Sequence, residues 1–143
     1  VDYLRFFATP ERLRGLRDAD PAARSRAWAL FLRETDPVSA TAQHEGLRDY
    51  FARLRTANQR FREEGTAGWL TDRGRAYMAL GEPDQIFDPN APEQNVRGRT
   101  QVWQYREQGV TLAFVDQNGF GRWRLSTQSA GIVEAALRRR MVQ

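Results

Sequence analysis

Cysteine is absent from this chain. That absence excludes disulfides, thiolate nucleophiles and cysteine-based metal sites together, and it suits an oxidising or a reducing compartment equally. Lysine is absent too. All 22 basic residues are arginine, so Schiff-base chemistry and a phosphate-cradling P-loop lysine are both excluded. Arginine without lysine is the usage of a GC-rich genome, whose codons favour Arg, Ala and Gly. Histidine occurs once, at His44, and no partner ligand stands three or four residues away to make a metal pair with it. No apolar run approaches the ~20 residues of a membrane-spanning helix. The chain opens on Val1 rather than Met, which leaves room upstream for a leader or a lipidated anchor.

What is present suffices for one domain: 143 residues, 41% of them hydrophobic, can bury a core. The net charge of +4 is spread unevenly, ending in Arg138, Arg139 and Arg140 against Glu134 alone. A nucleic-acid binder shows a basic face interleaved with aromatics or a recognisable reading module. The sequence displays neither, so proteins are the expected partners.

The first third reads as helices. Thr9-Pro10 places a cap before a proline at the first helical position, and Asp20-Pro21 repeats the device. Ala23, Ala27, Trp28, Phe31 and Leu32 then share one helical face, and Asp36-Pro37 stops the helix, because the residue before proline is pushed from the α region. A longer helix is predicted from about Thr41 to Arg62. Its buried stripe is Leu47, Tyr50, Phe51, Leu54, Ala57 and Phe61, with Asp49 and Arg53 paired outside.

After Gly65–Gly68, either Thr71 or Asp72 caps a short helix through Leu80, which Gly81 ends and Pro83 keeps from resuming. A strand over 75–80 is the competing reading; Ala, Met and Leu favour the helix. Residues 88–100 lack periodicity and read as a surface loop. Beyond them the period becomes two, in 101–106, 109–116 and 120–126, joined by glycine turns as an antiparallel meander. A final helix, about Ser129 to Met141, turns Ile132, Val133, Ala136, Leu137 and Met141 to one side. The expectation is a single α+β domain over 1–143: a helical part (1–81), a loop (82–100), a three- or four-stranded antiparallel sheet (101–126) and a C-terminal helix (128–142).

The densest segment is Gly68-Trp69-Leu70-Thr71-Asp72 followed by Arg73-Gly74, then Gly81-Glu82-Pro83-Asp84. It resembles the defining motif of the GWxTD-domain family. Trp28, Phe31 and Asp36-Pro37 upstream, with Tyr50-Phe51, Arg53, Ala57-Asn58 and Phe61, are similar to the helices leading into that motif. Trp103-Gln104-Tyr105 and Phe114 fit the hairpin after it. The resemblance covers most of residues 20–126. It implies a bacterial protein of the cell envelope, on its periplasmic or extracellular face, and it names a kind of domain rather than an activity. A looser, fold-level likeness links the short helix, the Gly-x-Pro turn and the Trp-x-Tyr strand to the small lipoprotein of the outer-membrane barrel-assembly machinery; folds do not carry function with them.

Each motif residue has an ordinary task at a loop-to-helix junction. Trp69 is expected to be buried, Thr71 or Asp72 to cap, Arg73 to pair with a carboxylate, and Gly74 to allow close backbone approach. The competing reading makes Asp72 and Arg73, with His44 as an optional third member, a ligand or catalytic site near the 88–100 loop. No second acid or nucleophile is designated by the sequence for such chemistry. Asp84, Asp88 and Glu93 do not follow the spacing of a calcium loop, and no cofactor motif occurs. The positive sign of function is aromatic and arginine surface on the meander, with Arg106, Arg122, Trp123 and Arg124 as candidate partner contacts and Arg138, Arg139 and Arg140 beside them. The expected function is a non-enzymatic interaction or scaffold domain, an accessory subunit docking on a membrane-associated complex.

Overall fold

A computed structural model describes residues 2–35, 45–88 and 98–141. The Asp36-Pro37 stop, His44, Glu93 and most of the 88–100 segment lie outside the described residues. Among the described residues five α-helices and four strands follow one another as α1 (Pro10–Arg17), α2 (Arg24–Thr35), α3 (Glu45–Arg60), α4 (Asp72–Leu80), β1 (Gln85–Phe87), β2 (Arg99–Tyr105), β3 (Val110–Asp116), β4 (Arg124–Leu125) and α5 (Thr127–Arg140). The fold is α+β. Two compact units divide the chain: residues 1–52 with 137–143, and residues 53–136.

The first unit is helical and aromatic. Pro10 occupies the first position of α1 after Thr9, whose side chain makes no capping bond. The Asp20-Pro21 device fails: Asp20 instead closes a turn through its carbonyl with the Ala23 N–H at 2.9 Å, and α2 starts only at Arg24. The predicted apolar face of α2 is therefore partly solvated. Phe31 is buried, but Ala23 is exposed and Leu32 is 37% exposed. Edge-on aromatic packing holds this unit, with Phe7 against Phe31 at 6.1 Å and against Tyr50 at 5.5 Å between ring centroids. Phe51, assigned to the buried stripe of α3, is 43% exposed, and Arg12 pairs with Glu34 at 2.5 Å.

The second unit holds the sheet. Its order is β1-β2-β3-β4, antiparallel throughout. Trp103 opposes Leu112 and Gln101 opposes Phe114, so strict alternation turns Trp103, Tyr105, Leu112 and Phe114 to one buried face. Phe61 continues that core, 5.3 Å from Trp103, which lies 4.7 Å from Phe114. Helix α5 is tied to β3 by the Ser129 hydroxyl, which accepts the Ala113 N–H at 2.9 Å; Arg75 of α4 pairs with Glu134 of α5.

Two strand assignments needed correction. Residues 85–87, inside the predicted loop, form β1, because the Asp84 N–H reaches the Gln104 carbonyl at 2.8 Å and starts a ladder. The predicted strand 120–126 shrinks to β4: Gly119 and Gly121 take φ of 71° and 85°, and the Asp116 carboxylate accepts the Gly121 N–H at 2.8 Å. That combination builds a turn where a strand was expected. Arg53, expected to pair with Asp49, donates instead to the Met78 carbonyl at 3.2 Å.

Tyr50 gives a test of the first unit. Its hydroxyl donates to the Tyr3 carbonyl, and burial pushes its pKa up to about 12, outweighing the opposite effects of the Phe6 backbone and Arg5. A raised folded pKa means that the native state holds its proton where the unfolded chain has lost it. The contribution is complete below pH ~10 and is lost as pH climbs toward 12. Denaturant midpoints should fall across that window in the wild type and stay flatter in Tyr50→Phe.

Candidate functional site

The Gly68–Gly74 motif sits where α3 ends and α4 begins, and backbone approach shapes it. Glu63 and Thr66 form an isolated bridge across Gly65, whose φ is 77°. This reversal returns the chain to α3 as a 3-10 turn at Gly68–Leu70. A Cβ on Gly68 would overlap the Ala57 carbonyl and lie 2.6 Å from the Asn58 Cα. One on Gly74 would overlap the Gly68 carbonyl and lie 2.9 Å from the Trp69 Cα. Both contacts need glycine, for space rather than for an unusual φ.

Hydrogen bonds lock what the glycines permit. The Trp69 N–H donates to Asn58 Oδ1 at 3.0 Å, and the indole is 4% exposed. Of the two candidate caps Thr71 is the one used, its Oγ1 accepting the Gly74 N–H at 3.0 Å. The single Thr71 hydroxyl proton faces two carbonyls, Gly68 at 2.7 Å and Phe61 at 3.0 Å. Asp72 is a strap: its Oδ2 accepts the Leu125 N–H of β4 at 2.8 Å, 53 residues away in sequence. Gly81, at φ 80°, closes α4 through its N–H to the Tyr77 carbonyl at 2.8 Å. The Gly81 carbonyl accepts the Tyr105 hydroxyl at 2.8 Å, and Pro83 is buried beside this turn.

Arg73 departs from expectation. Among the described residues it forms no ion pair. Its guanidinium carbon lies over two rings instead, 5.4 Å from the centre of Phe61 and 5.2 Å from that of Trp123. Burial lowers its pKa below the ordinary value; Glu63 and Asp116 raise it, and Arg99 and Arg60 lower it. It stays charged, as arginine does throughout the accessible range. Its Nε is buried without a hydrogen-bond partner. Glu63, whose side chain is 3% exposed, stands 3.8 Å from Arg124 and accepts the Trp123 N–H at 3.2 Å. Sequence reasoning missed Glu63 entirely; a charged residue just past a helix end carries no mark of burial.

The candidate partner contacts divide. Arg106, Arg122 and Arg124 are exposed, as are Arg138, Arg139 and Arg140 in the other unit. Trp123 is a correction: it is buried, its indole held against Arg73 and Arg99, while Arg122 and Arg124 on either side of it are exposed. The exposed ring is Phe120, 83% accessible. It borders a hollow of about 230 Å³ lined also by Val115, Asp116, Arg122 and Arg124. Two hollows of similar size lie in the helical unit, one between Leu16 and Phe31, one beside Tyr50 and Arg140. Among the described residues no three His, Asp or Glu side chains gather to hold a metal ion, and no helix is long and apolar enough to cross a membrane.

The family model for the GWxTD domain matches residues 1–120. No curated protein and no solved structure matches the chain, so the likeness to the barrel-assembly lipoprotein has no support.

The motif predicts its own mutational pattern. Gly74→Ala should cost about 3 kcal/mol or more, since backbone on both sides must move. Thr71→Val should cost about 1–3 kcal/mol by leaving the buried Gly74 N–H without an acceptor, and Thr71→Ser should restore most of it. Asp72→Ala should destabilise by a similar ~1–3 kcal/mol through the orphaned Leu125 N–H. Urea denaturation reads all four.

Proposed function

The chain belongs to the GWxTD-domain family, and from that premise we propose that it is a protein-interaction module: a non-enzymatic scaffold or accessory subunit that docks on a larger membrane-associated complex of the bacterial cell envelope. The family resemblance motivates the envelope placement. The observation that carries the interaction reading is Phe120, a large ring 83% exposed on the β3–β4 turn, flanked by exposed Arg122 and Arg124. An aromatic anchor beside arginines is the composition of a binding hot spot. The adjoining 230 Å³ hollow has room for a partner side chain, and buried Asp116 on its wall gives it a polar feature.

The motif supports the same reading by what it leaves over. Trp69, Thr71, Asp72 and Gly74 are each committed to a neighbouring backbone or to the core. A reaction centred on Asp72 would have to proceed with Oδ2 already held by the Leu125 N–H of β4. The second reading, a small-ligand site at Arg73, is favoured by one observation, the unpartnered Nε.

A photo-crosslinking residue in place of Phe120, in cells of the source bacterium, should give a discrete adduct with an envelope protein. Arg122→Ser with Arg124→Ser should abolish it. Phe120→Ala should change unfolding free energy by less than about 0.5 kcal/mol while weakening capture by about tenfold or more. Turnover of a substrate by the isolated chain, with no adduct formed at position 120, would contradict the proposal.

A further inference from the structure

The sheet buries one face and leaves the other open. Trp103, Tyr105, Leu112 and Phe114 fill the buried face, so residues of the opposite parity line the open one. There Phe87 of β1 opposes Val102 of β2, and Val102 opposes Ala113 of β3. Val115 follows Ala113 on the same face, which carries the apolar line obliquely across three strands. Gln85, Gln104 and Thr111 form the row on one side of it. On the other side Thr100 and Arg124 lie to either side of Val115. None of these nine residues is buried, and Phe87 is 41% exposed.

A sheet face that meets only water is ordinarily polar and charged. This one carries a single charge, Arg124, in a chain of which 28% is charged. The one acid within the four strands, Asp116, is buried and has the other parity. The apolar line ends at the hollow beside Phe120, whose lining includes Val115 and Arg124. A charge-poor centre with aromatic side chains and arginine, inside a polar rim, is the make-up of an interface core.

We propose that the open face receives an amphipathic helix of a partner protein, its apolar stripe on Phe87, Val102, Ala113 and Val115 and a carboxylate at one end against Arg122 and Arg124. This rests on the interaction reading and gives the partner its shape and charge. An element laid on a sheet face must satisfy its own backbone, which a helix does and a lone strand does not. The apolar line is one residue wide between polar rows, the width of a helix stripe rather than of a second sheet. Charge selects the acid. Arg122 forms no ion pair among the described residues, and Arg124, its side chain 59% exposed, stands 3.8 Å from Glu63, beyond hydrogen-bond reach. A second copy applied face to face would bring another Arg124 and no carboxylate. A bilayer would strip water from Gln85, Gln104 and Thr111 and return no hydrogen bond. Nucleic acid would find one cation on the face and no basic track.

Photo-crosslinking residues placed singly at Gln85, Thr111 and Phe120, in the whole chain in cells of the source bacterium, test this when the attached partner residues are mapped by tandem mass spectrometry. All three positions should attach to one envelope protein. The attached residues should fall three, four or seven apart, with Asp or Glu within a turn of the one reached from Phe120. Arg122→Glu with Arg124→Glu should cut the Thr111-position adduct about tenfold or more, and replacing the mapped partner acid by Arg should restore it. Val102→Glu should cut it to a similar extent. Should Val102→Glu fail to fold by urea denaturation, Val102→Thr keeps the side-chain shape and should cut the adduct about fourfold. Adducts to lipid alone, to a second copy of this chain, or to partner residues two apart each overturn the proposal. So does an undiminished adduct in the folded Val102 variant, or a charge reversal that the partner's Arg does not rescue. Capture from Phe120 with none from Gln85 or Thr111 sinks the helix site alone; no capture from any of the three sinks the interaction reading with it.

Discussion

Two backbone segments can touch only where neither has a Cβ in the way. In this protein that contact is made twice in seven residues, by Gly68 on the end of α3 and by Gly74 on the Gly68 carbonyl. The rest of the sheet-bearing unit depends on it. Because Gly68 lies flat on α3, Trp69 enters the core and its N–H finds Asn58. Because Gly74 lies flat on Gly68, the first turn of α4 starts where Thr71 can cap it and Asp72 can reach β4. Larger residues at either position would move α4 away from the strand it holds.

Charge in this unit is arranged by the same junction. Glu63 is buried at the reversal after α3, and it serves the Trp123 backbone while standing near Arg124. Trp123 in turn lies between Arg73 and Arg99. Arginine suits such an arrangement better than lysine would: its flat, weakly hydrated group can lie on a ring and still present donors at its edge. A genome that writes every basic residue as Arg supplies the material; the fold decides which of the 22 meet aromatics. Arg60, Arg73 and Arg99 do, whereas Arg106, Arg122, Arg138 and Arg139 stand in solvent.

Exposed surface and architecture are thus drawn from different residues within the unit. The conspicuous motif residues point into backbone and core. The exposed aromatic and arginine side chains come from less conspicuous sequence, Phe120, Arg122 and Arg124 of the β3–β4 turn. A motif of this kind marks a structural junction, and its presence constrains the surface around it without forming that surface.

Local chemistry settled much of this protein in advance. Glycine at 81 and proline at 83 end α4 whatever surrounds them, and period-two patterning through Trp103–Tyr105 and Leu112–Phe114 fixes two strands and their inward face, since neighbours in sequence set both. Tertiary structure alone decided the rest. The Asp72 carboxylate has its partner 53 residues on. Strand β1 exists only because β2 offers it a ladder, and the turn at Gly119–Gly121 forms because Asp116 caps it at the cost of the expected strand. Trp123 and Phe120 are both aromatics near a hairpin end, and nothing local tells which is buried; the arginines and the glutamate that come to Trp123 from distant parts of the chain make that choice.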